Sequence, residues 1–208
     1  MKSLAALVSA FVLSLAAGAA AAPLRFDLCV SANDAGNCAA GSAQLGATVD
    51  ALGGSQIVFT FTNTGAAALS ITDIYFDDAG SLLGIAAIAN GSGVSFSDGA
   101  SPGNLPAGNG ATPAFVATFG ADSNAPVQPN GVNPGETVAI TFNLQSGTSF
   151  QDVLAELADG RLRVGLHVQG FANGGSESFV NTPLPEPSTL ALLAAALIGL
   201  ARVGRRRA

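Results

Sequence analysis

The chain has 208 residues, 49% hydrophobic and only 11% charged, with a formal net charge of −6. Between residues 23 and 184, Arg25, Arg161 and Arg163 stand against thirteen carboxylates with no lysine, a net −10. Such a body repels a polyanion, which excludes nucleic acid as a partner.

The chain opens with "MKSLAALVSAFVLSLAAGAAAA". Lys2 is a positive start, Leu4 to Leu15 is an apolar stretch, and Gly18 to Ala22 is a run of small residues. Residues 1–22 therefore read as a secretory signal peptide, cut after Ala20 or Ala21. The apolar stretch is shorter than the ~20 residues a membrane span needs. Export carries Cys29 and Cys38 through an oxidising compartment, where a disulfide between them is expected. The loop between them holds Asn33, Asp34 and Gly36, all turn formers.

Residues 23–182 read as one extracytoplasmic domain built of strands. "LRFDLCV" places Leu24, Phe26, Leu28 and Val30 on one face. "QIVFTFT" (56–62) alternates Ile57, Phe59 and Phe61 with Val58 and threonines. "LSITDIYFD" (69–77) sets Leu69, Ile71, Asp73 and Tyr75 against Thr72, Ile74 and Phe76. "AFVATFG", "ETVAITFNL" and "GRLRVGLHVQGF" repeat the alternation, which is the strand signal. Between them lie segments dense in Gly, Pro, Asn and Ser, read as turns. One segment has a helical period instead: Phe150, Val153, Leu154 and Leu157 in "SFQDVLAELADG". Ser149 and Asp152 form a capping-box pattern and Gly160 a stop, so a short helix is expected near 150–158. The fold class is all-β: an antiparallel two-sheet sandwich, immunoglobulin-like or jelly-roll, with that one helix.

Catalytic signatures are absent: no GxSxG, HExxH, P-loop or dinucleotide glycine pattern occurs. His167 is the single histidine, on a polar strand face with Arg161 and Arg163; Ser176, Glu177 and Ser178 follow closely in sequence without forming a motif. No catalytic residue is assigned. The domain has no tryptophan and one tyrosine, Tyr75, which argues against a sugar-cleaving cleft. Calcium is the one cofactor for which a candidate exists: Asp73, Asp77 and Asp78 in "TDIYFDD" offer hard oxygen ligands at a strand end, without the EF-hand spacing. "SDGASPGN" (97–104) is a second oxygen-rich loop.

The tail, residues 183–208, has three parts in order. Pro183, Pro185 and Pro187 enforce an extended stalk. A hydrophobic helix is expected over about 188–203. Its apolar run from Leu190 to Ala201 would rise only ~18 Å as a helix, against a ~30 Å hydrocarbon core. Arg202, Arg205, Arg206 and Arg207 then form a membrane stop held on the cytoplasmic side. Pro185-Glu186-Pro187 before a short apolar run and an arginine cluster resembles the PEP-CTERM sorting signal of Gram-negative bacteria. The resemblance implies a membrane protease-transpeptidase partner, the exosortase, with Pro185, Glu186 and Pro187 as the recognition element. It also implies an exported precursor anchored by its tail, in a species that makes extracellular polysaccharide. The function expected is that of a non-enzymatic surface or extracellular-matrix protein, associated with biofilm or exopolysaccharide. The alternative is a secreted carbohydrate- or calcium-dependent binding module.

Overall fold

Alternating apolar residues pull the chain into two antiparallel sheets. In the first, β1 (Ala22–Arg25), β3 (Leu45–Gly53), β4 (Gln56–Asn63), β9 (Thr137–Leu144) and β6 (Leu82–Asn90) lie side by side in that order. The second runs β2 (Leu28–Cys29), β11 (Glu177–Val180), β10 (Leu162–Gln169), β5 (Ser70–Asp78), β8 (Phe119–Ser123) and β7 (Phe96–Asp98). The structure, a computed structural model, describes residues 21–184. The expected signal peptide, apolar tail helix and arginine stop lie outside the described residues. Among the described residues, no helix is long and apolar enough to cross a membrane.

The sheets meet through one core. Phe59 on β4 and Phe142 on β9 face Phe76 on β5, with ring centroids 5.1 and 4.7 Å apart in edge-on contacts. That geometry sets the positive rim of one ring against the negative face of another. Along β4, Ile57, Phe59 and Phe61 are buried while Val58, Thr60 and Thr62 are half-buried, the period of two that a strand imposes. The two-sheet expectation holds on these contacts.

The expected helix is present as α3 (Phe150–Asp159). The hydroxyl of Ser149 accepts the Asp152 N–H at 3.3 Å, and the Asp152 carboxylate accepts the Ser149 N–H at 2.8 Å. Gly160 closes the helix at φ 79°, a left-handed conformation that favours glycine. Val153 and Leu157 are fully buried against the core.

Four local expectations change. "LRFDLCV" is not one strand: the chain crosses between sheets at Phe26–Asp27, so Leu24 and Phe26 are buried while Leu28 is exposed. The segment after Cys29 is not only a turn, because Cys38 lies in α1 (Ala35–Gln44), a further helix capped by Asp34, whose carboxylate accepts the Asn37 N–H at 2.9 Å. A short helix, α2 (Val127–Asn130), was also not anticipated. "AFVATFG" becomes a strand only from Phe119, since Phe115 is drawn onto the outside of the second sheet.

A further change is on β5. Asp73 pairs with His167 and Ile71 with Val168, so Thr72 has no residue opposite it. This bulge reverses the alternation. Ile71 joins Ile74 and Phe76 in the main core, and Asp73 and Tyr75 turn to the outer face.

Candidate functional site

The bulge builds a polar row across the outer face of the second sheet. Ser178 on β11, His167 on β10, Asp73 on β5, Asp122 on β8 and Ser97 on β7 are successive cross-strand neighbours. His167 Nδ1 lies 2.9 Å from an Asp73 carboxylate oxygen, and the Gln169 amide lies 3.4 Å from the same ring nitrogen. Burial, then the negative charge of Asp73 and a hydrogen bond with it, push the Asp122 carboxyl up to about 6. Backbone N–H groups at Ser101 and Ser123 oppose that rise. Burial, followed by the charges of Asp73 and Asp122, also raises the Tyr75 phenol. Asp122 thus holds its proton more tightly than an ordinary carboxylic acid.

A roof covers much of this face. Residues 99–118, between β7 and β8, fold back so that Leu105 and Phe115 pack with Tyr75 and Val180 in a second, smaller apolar cluster. The Tyr75 hydroxyl donates to the Pro102 carbonyl at 2.9 Å. Gly165 permits the close approach: a Cβ there would lie 2.9 Å from Leu105 Cδ2 and 3.0 Å from Phe115 Cζ. Ser178 Oγ is buried and makes no hydrogen bond, so the Ser–His–Asp succession is not joined as a nucleophilic relay. Asp122 reaches a cleft of about 520 Å³ shared with Ser97, Asp98, Ser101, Ser123 and Asn124.

The three calcium candidates do not converge. Asp73 faces His167. Asp77 pairs with Arg163 and accepts the Val116 N–H at 3.1 Å. Arg163 also donates to the carbonyls of Pro113 and Ala114, at 2.6 and 2.7 Å, and lies 5.3 Å over the Phe115 ring. Asp77 and Arg163 therefore pin the far end of the roof. Asp78 accepts the N–H groups of Gly80, Ser81 and Leu82, each at 3.1 Å, and closes the turn into β6. Asp73 and Asp77 share a face but stand ~13 Å apart along the strand.

Cys29 and Cys38 are joined as a disulfide with a Cα separation of 5.6 Å. Beside it, the buried Glu177 carboxylate accepts the N–H groups of Asn33 and Asp34, at 3.0 and 2.8 Å, and the Ser31 hydroxyl. With the sulfurs bonded to each other, this group is a structural brace rather than a metal ligand set. In the sequence Glu177 stands out only as a neighbour of His167 and Asp122 not at all; the sheet order that gives them partners leaves no local signal.

The chain leaves the domain along the edge where β10, β1 and α3 meet. The N–H groups of Asn181 and Thr182 donate to Val164 and Arg25 carbonyls, both at 3.0 Å. Leu184 N–H donates to the Leu157 carbonyl of α3 at 3.3 Å, and its side chain packs on the main core. Pro183 lines a cleft of about 440 Å³ with Leu157, Arg161, Arg163 and Val180. Arg161 is held there by Asp159 and Glu156, at 2.8 and 3.0 Å. Pro185, Glu186 and Pro187, with Arg202, Arg205, Arg206 and Arg207, lie outside the described residues.

No curated protein and no solved structure matches the chain significantly. The domain before the tail is matched by no family. Residues 183–207 match the PEP-CTERM protein-sorting motif, which implies an exported protein whose membrane-associated precursor is handled by an exosortase.

Proposed function

We propose that the protein is a non-enzymatic surface or extracellular-matrix component, delivered outside the inner membrane and processed by an exosortase at its tail. The observation that carries this reading is the sorting motif at residues 183–207. Three features of the domain support it. Its acidic, lysine-free composition suits a soluble exterior. The Cys29–Cys38 disulfide suits an oxidising compartment. On the outer face of the second sheet, Asp73 is bonded to His167 while the Ser178 hydroxyl beside it has no hydrogen-bond partner, so the row is not joined as a nucleophilic relay.

The test is to express the full chain and a form lacking residues 185–208 in an exosortase-bearing Gram-negative host, then to fractionate the cells. The full chain should collect in the surface or matrix fraction and the shortened form in the periplasm or medium. The same distribution for both would contradict the reading.

A further inference from the structure

The sorting motif and the folded domain overlap. The motif match begins at Pro183, yet Pro183 and Leu184 belong to the fold. Leu184 is fixed by its N–H to the Leu157 carbonyl at 3.3 Å and by its side chain against the core. Two residues earlier, the Thr182 N–H is fixed on Arg25 at 3.0 Å. Pro183 between them has no N–H to donate, so the two bonds, one to β1 and one to the last turn of α3, are what fix this stretch.

Pro185-Glu186-Pro187 follows with no spacer. Only five residues separate Leu184 from Leu190, where the apolar run begins. Fully extended, they reach ~18 Å at most. A membrane enzyme that takes this tail in extended form must work in that gap, against a domain whose last attachment among the described residues is Leu184.

We propose that residues 182–184 are a latch. Seated on Leu157 and Arg25, they leave no free chain between the domain and the sorting motif; unseated, they give the motif the free chain it needs to enter the processing enzyme. The proposal rests on the exosortase reading above and adds that processing waits on a local opening. Among the described residues the attachment beyond Asn181 is slight: two backbone hydrogen bonds, the Asn181 amide on the Thr182 carbonyl at 3.2 Å, and one partly buried leucine. The segment therefore belongs to the low-stability end of the fold, which opens without global unfolding.

The test is pulse–chase conversion of the full-length precursor in an exosortase-bearing host, comparing three forms. One is the natural chain. The second carries an eight-residue Gly/Ser insertion after Leu184, which leaves the latch seated but moves the motif away. The third is Leu184→Ala, which weakens the seat. The insertion form should convert about tenfold faster, the factor expected when a pair of hydrogen bonds holds the closed state, and Leu184→Ala should also convert faster through loss of its apolar seat; a gain under about threefold in the insertion form would overturn the latch. Acceleration by Leu184→Ala with none from the insertion would mean a loosened domain and would also overturn it. Absence of conversion in all three forms would overturn the exosortase reading, and the latch with it.

Discussion

At the residue scale, the outer face of the second sheet depends on one carboxyl. Asp122 sits against Asp73, and its folded-state pKa of about 6 lies above the ordinary 3.8. The titratable groups beside this pair are His167 from β10 and Asp98 across the cleft, with the Tyr75 phenol alongside. A raised carboxyl pKa means that the folded state binds the proton more tightly than the unfolded chain. Its stabilising contribution is present below the unfolded value and is lost as pH rises through about 6. Asp122→Asn should therefore be more stable than the natural chain above that pH, with the advantage shrinking as pH falls toward 4. Urea denaturation of both forms across that range measures it; a constant difference would contradict the account. Gly165 is as strict. Gly165→Val would drive a side chain into Leu105 and Phe115 and should cost about 1–3 kcal/mol, read as a lowered midpoint in the same experiment.

Little of this was legible in the residues themselves. Asp73 stood out as a carboxylate near two others, but a one-residue bulge at Thr72 decides which way it points. Alternation counts cannot register a bulge, because they assume an unbroken period of two. Asp122 lies in a turn-rich stretch and gains meaning only when β8 is laid beside β5.

At the element scale, α3 and α1 make a useful contrast. α3 was legible because three independent signals agreed: an apolar stripe, a capping box and a terminal glycine. Ser149→Ala should cost about 1 kcal/mol by removing a cap, seen as a drop in unfolding midpoint without loss of the sandwich. α1 gave no such stripe; its buried residues are Asn37, Gly41 and Gln44. It is held by tertiary contacts instead. Gly41 lies so close to the Phe179 ring that a Cβ would come within 2.2 Å of Cζ. The disulfide and the Glu177 carboxylate tie its start to β2 and β11. Replacing both cysteines by serine should cost about 2–3 kcal/mol, since the closed loop is short. Equal unfolding midpoints for the oxidised natural chain and the double variant would contradict that role.

At the scale of the whole molecule, the two-sheet architecture was legible because β4, β9 and β10 carry clean alternation and their inner faces meet in one core. The assignment of strands to sheets was not. β1 and β2 are consecutive in the chain yet lie in different sheets. No local pattern records which distant strand a segment will join. The address in the tail was the most legible feature, since its three parts follow one another in sequence and need no folding to be recognised. The structure adds that this address starts inside the folded domain, at Pro183 and Leu184, rather than at the end of a free linker.

The central claim is that an exosortase processes this tail. Its most direct test is the intact mass of the protein recovered from otherwise identical hosts with and without the exosortase. The account predicts a shorter C-terminus, lacking Arg205, Arg206 and Arg207, only where the enzyme is present, and the complete tail where it is absent. The same C-terminal mass in both hosts would contradict it.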